Sequence, residues 1–387
     1  MDFAESAEHQ LLRSTAAGIA ARFGHEWFVD RARRDERAEE LWHAMAEPGF
    51  LGVHLPEEYG GGGGGISELA IVCEEAAAQG CPMLLILVSA AICAELIARF
   101  GTPSQKERWL PGLASGAEKM AFAITEPDAG SNSHRLATTA RRDGDVYRLN
   151  GAKTFISGVD ECEHMLVVTR TGIDEATGRG KLSLFIVDRD APGLTRHLIP
   201  VEMTLPEKQY TLFFDDVEVP AENLLGEEHE GLRVVFFGLN PERITGAAIA
   251  NGIGRYALDK ASAYARERSV WGVPIGMHQG VSHPLAAAKV EVELARLMTD
   301  KAAWLHDHDA GSEAAGEAAN MAKYAAAEAT MHALDAAIQT HGGNGMTTEY
   351  GLADLWGLAR LLRIAPVSRE MILNFVAQHS LGLPKSY

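Results

Sequence analysis

Residues Ala121–Ser133 read Ala-Phe-Ala-Ile-Thr-Glu-Pro-Asp-Ala-Gly-Ser-Asn-Ser, an apolar strand running into a Thr-Glu-Pro turn and then a Gly-Ser pair. Small residues after such a turn let a large planar ligand approach the backbone closely. A second element of the same kind follows at Lys153-Thr154-Phe155-Ile156-Ser157-Gly158, and a glycine-rich run, Gln339-Thr340-His341-Gly342-Gly343-Asn344-Gly345, stands far downstream.

Around this segment the chain divides into three. Residues 1–120 carry apolar residues at helical spacings of three and four, as in Glu8–Phe23, Ala38–Ala46 and Ser67–Gln79. Residues 121–228 change to strand patterning. Val146–Leu149 with Asn150-Gly151 reads as a strand ending in a hairpin turn, and Met165–Thr169, Leu182–Val187 and Tyr210–Phe214 continue a small antiparallel barrel or sandwich. Residues 229–387 are helical again, with long Ala-rich stretches at Ala247–Arg268, Leu285–His306 and Ala314–His341, then Leu355–Gln378. The expected class is α+β multidomain, a helical domain, a central antiparallel β-domain and a C-terminal four-helix bundle. At 387 residues the chain exceeds what one core usually organises, which agrees with several domains.

A net charge of −18 argues against nucleic acid or an anionic membrane as the main partner. The longest apolar run, Met83–Ile92, is too short to cross a bilayer, so no membrane insertion is expected. The four cysteines have neither metal nor disulfide-framework spacing, the first residues lack a signal core, and the tail carries no Ser-Lys-Leu address. A cytoplasmic location is the expectation. The six glycines Gly60–Gly65 have no lysine or strand-turn-helix context for a phosphate loop and read as a flexible connection between helices.

The three motifs together resemble the acyl-CoA dehydrogenase flavoproteins, nearly end to end, and that family shows the same helical, β, helical order. The resemblance implies FAD as cofactor. It implies that Phe122, Ile124 and Thr125 border the flavin ring, with Gly130 and Ser131 beside it and near the pyrophosphate, Ser131 also facing substrate. The family's Trp-Ile-Thr element is represented by Phe155-Ile156-Ser157; phenylalanine still covers a ring face and serine retains a hydroxyl. Arg268, in Arg266-Glu267-Arg268-Ser269-Val270-Trp271-Gly272, matches an arginine that reaches the flavin pyrophosphate of a neighbouring subunit, as a guanidinium fork suits phosphate oxygens. On its own it would read as a surface ion pair. Gln279, Gln339 and Gly343 match further FAD contacts. Contacts across subunits imply a homodimer or homotetramer. Asp354, Gly357, Leu358, Val367 and Arg369 depart from the family pattern, so the AMP half would be held differently.

Such enzymes remove an α-proton from an acyl thioester while a β-hydride passes to flavin N5, and a carboxylate poised by partial desolvation is the natural base. Many members carry it in a Tyr-Glu-Gly triplet near the C-terminus, which reads Ile364-Ala365-Pro366 here; alanine accepts no proton. A second branch, including isovaleryl- and long-chain-type enzymes, places it just before an arginine on an earlier helix, matching Glu242 in Asn240-Pro241-Glu242-Arg243. Locally this tetrapeptide also reads as a helix start, with Asn240 as N-cap and Pro241 at the first helical position. The vacant triplet favours Glu242 as base. Arg243 would lie beside substrate, and the Ala365 N–H would polarise the thioester carbonyl.

The expected activity is dehydrogenation of an acyl-CoA thioester to the trans-2-enoyl-CoA, with an electron-transferring flavoprotein as electron acceptor. An acyl-CoA oxidase, a dehydrogenase of carrier-protein thioesters, or a silent partner subunit of a mixed tetramer would share these motifs. His306-Asp307-His308-Asp309 reads as a solvated turn before a Gly-Ser loop rather than a metal site, and His341 as a packing residue or a flavin contact.

Overall fold

A computed structural model describes residues 4–309 and 312–385 of the chain. The N-terminal third is helical: α1 (Ala7–Ala21), α2 (Gly24–Arg33), α3 (Glu39–Ala46), α4 (Ile66–Ala78), a π-helical segment (Ile86–Ala94), α5 (Glu95–Phe100) and α6 (Pro103–Ala114). The π-helical segment is apolar on nearly every side and wholly buried, as such a helix must be, and α4 is buried along most of its length, with Glu74 and Glu75 among its buried residues. The Gly60–Gly65 run is held, not flexible. The amides of Gly61, Gly62, Gly63 and Gly64 donate to the carbonyls of Pro56, Gly52, Leu55 and Val53, which also leaves them unavailable to phosphate.

The middle third forms a mostly antiparallel sheet from β1 (Met120–Ala123), β2 (Thr139–Asp143), β3 (Val146–Ser157), β4 (His164–Ile173), β5 (Gly180–Asp188), β6 (Leu194–Ile199), β7 (Gln209–Pro220) and β8 (Leu224–Leu225). The order is β6-β7-β3-β2-β4-β5-β8, with β1 joined to β4 in parallel. Asn150-Gly151 does not end a strand. β3 runs through it with a bulge, and the hairpin to β2 closes at Gly144 instead. The bulge has a steric reason: Gly151 adopts φ +145°, and a Cβ there would lie 2.6 Å from Thr138.

The last third contains α7 (Gly231–Glu267), a two-stranded hairpin of β9 (Ser269–Val270) and β10 (Val273–Pro274), α8 (Gln279–Asp307), α9 (Ser312–His341), α10 (Trp356–Leu361) and α11 (Arg369–Phe375). α7 begins well before Asn240 and carries Pro241 in its interior, so the helix-start reading of Asn-Pro-Glu fails. The expected helix over Leu355–Gln378 is broken in two around Pro366, which lacks the N–H a helix needs and restricts the residue before it. Small residues bring α7 close to its neighbours: a Cβ on Gly252 would stand 2.3 Å from the Glu74 carbonyl of α4.

Buried charges lock the helical layers together. Glu74 and Glu75 on α4 receive Arg13 from α1, Arg255 from α7 and Arg296 from α8, with N–O separations down to 2.5–2.7 Å. Nor is the His306–Asp309 segment simply a solvated turn. Asp307 accepts from the amides of Ile66 and Ser67 at 2.8 and 3.0 Å, capping α4, while His306 packs against Phe237 with ring centroids 5.3 Å apart. The loop that follows lies partly outside the described residues. No helix of the described residues is long and apolar enough to cross a membrane.

Candidate active site

The turn after β1 is fastened to β3. The Thr154 amide donates to the Thr125 carbonyl at 2.9 Å, and Lys153 Nζ donates to the Ile124 carbonyl and to Glu126 Oε1, both at 2.9 Å. Glu126 in turn accepts from the amides of Ala137 and Thr138 at 2.6 and 3.0 Å. Both ionic side chains are buried. Burial pushes the Glu126 carboxyl up, but the Lys153 charge and these bonds outweigh it and hold the group below its ordinary range. Lys153 is lowered to about 8 by burial, against the pull of Glu126. These bonds tie Ile124 and Thr125 to Lys153 and Thr154, the residues that lead into Phe155 on β3.

On that frame Phe155 has φ +57° and is 62% exposed, unusual for a large aromatic side chain. Gly130 and Ser131 are exposed, and nothing lies within 4 Å of a Cβ built on Gly130. Ser157 Oγ lies 3.1 Å from Oε1 and 3.0 Å from Nε2 of Gln209, its partner on β7. An uncovered aromatic face, a hydroxyl and an unobstructed glycine turn fit a planar ring with a polar edge and a phosphate tail.

Glu242 lies on α7 and is part-buried, with Oε2 shut off from solvent and without a hydrogen-bond partner among the described residues. Burial drives its carboxyl up to about 8, against the charges of Arg243 and Lys323. Arg243 is buried, donates to Asn240 Oδ1 at 2.9 Å and leaves Nε unpaired. Its desolvation brings it down to about 10 in spite of Glu242. Lys323 of α9 donates to the Val367 carbonyl at 2.5 Å and is lowered to about 8, by burial first. Lys323 thus stands between Glu242 of α7, whose charge it feels, and the segment that follows Ile364-Ala365-Pro366. The Ala365 N–H expected to face the thioester is already engaged, donating to the Leu361 carbonyl at 2.9 Å. The turn between α10 and α11 folds back onto α10 and uses that donor.

Arg268, Gln279, Gln339 and Gly343 are exposed at the hairpin end of the bundle. The Arg268 amide donates to the Tyr264 carbonyl, the Asn344 side chain donates to the Tyr264 hydroxyl at 3.1 Å, and Trp271 packs edge-on to His278, next to Gln279. Arg268 has no ion-pair partner among the described residues, contrary to the surface-pair reading. His341 is buried in packing, stacked 4.2 Å from Tyr264. Arg268, just past the end of α7, lies twenty-six positions beyond Glu242, about 39 Å at ~1.5 Å per residue. One chain therefore does not bring the two sets together. Glu126, Gln209 and Lys323 were missed in the sequence; the acid in Thr-Glu-Pro together with a lysine inside an apolar strand was the available hint of a buried pair.

The β-domain thus presents an uncovered aromatic side chain at Phe155, and α7 carries a partnerless acid oxygen at Glu242. Three family models match in succession: the acyl-CoA dehydrogenase N-terminal domain over residues 6–117, middle domain over 121–217 and C-terminal domain over 229–381. Acyl-CoA dehydrogenase FadE12 of Mycobacterium tuberculosis is 56% identical over 386 residues, covering 100% of this chain and 99% of that protein. Butyryl-CoA dehydrogenase from Megasphaera elsdenii superposes with a TM-score of 0.92 at 30% identity, over 98% of this chain and 100% of its own. A chain from a structure of the electron transferring flavoprotein of Acidaminococcus fermentans gives 0.93 at 31%, with the same coverage. The chain belongs to the acyl-CoA dehydrogenase family, a family of FAD-dependent oxidoreductases.

Proposed function

We propose that the chain oxidises an acyl-CoA thioester to its trans-2-enoyl product, with Glu242 as the base that takes the α-proton. The observation that carries this is the buried, partnerless Oε2 of Glu242, a proton acceptor held at about 8 where a carboxylate is basic enough to work near neutral pH. FAD, when bound, supplies the hydride acceptor for the β-carbon. Phe155 covers one ring face, Ser157 offers its hydroxyl to the polar edge, and Phe122, Ile124 and Thr125 border the ring. Gly130 and Ser131 leave room for the pyrophosphate, and Ser131 also meets substrate.

Arg243 is anchored by Asn240 and faces substrate, and its charge favours the carboxylate form of Glu242. Polarisation of the thioester carbonyl is not assigned to the Ala365 N–H, because Leu361 already takes it. Arg268, Gln279, Gln339 and Gly343 serve the FAD of a second copy, which makes the working unit at least a homodimer. An electron-transferring flavoprotein is the proposed electron acceptor, supported by the likeness to a chain from such a structure.

The test is anaerobic bleaching of the bound flavin by a panel of acyl-CoAs, repeated with Glu242→Gln. The variant is expected to keep its yellow colour and lose at least ~100-fold in reduction rate, the usual worth of a positioned base. Unchanged bleaching in the variant would remove Glu242 from the chemistry. Rapid reoxidation of the bleached protein by air would point to an oxidase.

A further inference from the structure

Ser157 ends β3, Gln209 begins β7, and the two are direct cross-strand partners. Gln209 is 4% exposed, and among the described residues its amide finds no side-chain partner other than the Ser157 hydroxyl. Burying an amide costs free energy unless its bonds are made. A buried glutamine that spends its capacity on a single hydroxyl therefore calls for a reason beyond packing.

The geometry supplies one. Ser157 Oγ lies within hydrogen-bond reach of both amide atoms, 3.1 Å from Oε1 and 3.0 Å from Nε2. A hydroxyl has one proton and two lone pairs. When it accepts from Nε2, its proton is free to point at a ligand. When it donates to Oε1, its remaining lone pair faces that ligand instead. A carboxylate in place of the amide would hold the hydroxyl as a donor, an ammonium would hold it as an acceptor, and an apolar side chain would leave it to rotate. Glutamine permits either role without moving a heavy atom.

We propose that Gln209 is a positioning residue that lets the Ser157 hydroxyl act as donor or acceptor to the edge of the bound flavin. The inference rests on the placement of Ser157 beside the ring proposed above. Flavin N5 is an acceptor when oxidised and an N–H donor after it has gained hydride, so a hydroxyl able to change role serves both states of the cofactor.

The test compares Ser157→Ala, Gln209→Leu and the double variant by visible spectrum, flavin midpoint potential and rate of anaerobic reduction by one acyl-CoA. Q209L and S157A are each expected to displace the flavin bands and the potential in the same sense and to slow reduction about five-fold, the loss of one ordinary hydrogen bond. The double variant should go no further than either single one, as for residues acting as a unit. If Q209L fails to fold, Gln209→Met, unbranched and of similar length, carries the same expectation. A normal spectrum and potential in the Gln209 variant, with S157A shifted, overturns this proposal alone. Additive effects overturn it too. No change in S157A removes the underlying placement of Ser157.

Discussion

A carboxyl group with one oxygen shut away from water and bonded to nothing keeps its proton well past the usual range, and Glu242 is that group. Its stability consequence has a definite sign. An unfolded glutamate loses its proton near ~4.3, whereas the folded one holds it to about 8. Across that window protonation favours the fold, so the contribution of Glu242 to stability falls as pH rises and levels off above about 8. Melting curves from pH 5 to 9 should therefore show Glu242→Gln gaining on the wild type as pH increases; parallel curves would deny the raised value. The rate of flavin reduction should move the opposite way, rising toward pH 8 as the carboxylate form appears. The position of the acid was legible through the resemblance and the vacant triplet. Its isolation was not, because Lys323 approaches from another helix and bonds a carbonyl 44 residues further on.

At the scale of elements, the Glu126–Lys153 pair shows what fixes the turn after β1 to β3. Lys153→Met should cost about 3–5 kcal/mol, since it leaves a buried carboxylate unpaired. Lys153→Met with Glu126→Leu should recover part of that, and chemical denaturation of both variants checks the pair. A loss under 1 kcal/mol in the single variant would mean that water reaches Glu126. Flavin content should drop in the single variant as Thr125 and Thr154 lose their mutual support. Elements with regular periodicity, such as α4 and β5, could be read directly. Those that failed were local signals overruled by tertiary context. Asn150-Gly151 has hairpin chemistry, yet the crossing of Thr138 turns it into a bulge, and Asn240-Pro241 has start chemistry, yet neighbours on both sides carry α7 through it.

Over the whole molecule, α7 poses a problem of reach. Glu242 and Arg268 lie about 39 Å apart along one helix, and the hairpin end around Arg268 exposes Trp271, Met277 and Met346 by 88%, 69% and 69%. Apolar exposure on that scale suits a surface covered by another copy, and a two-fold pair would set each hairpin end on its partner's flavin site. Complementation tests this directly. Arg268→Ala alone should fold, give a normal helical spectrum and lose FAD on dilution; Glu242→Gln alone should keep FAD and reduce slowly. When the two variants are expressed together, half of the randomly formed dimers are mixed, and in each mixed dimer one of two sites has an intact Glu242 from one subunit and an intact Arg268 from the other. Activity should return to roughly a quarter of the wild-type rate per site. No recovery, with mixed dimers verified by tag pull-down, would place Arg268 at its own chain's flavin and undo the cross-subunit reading.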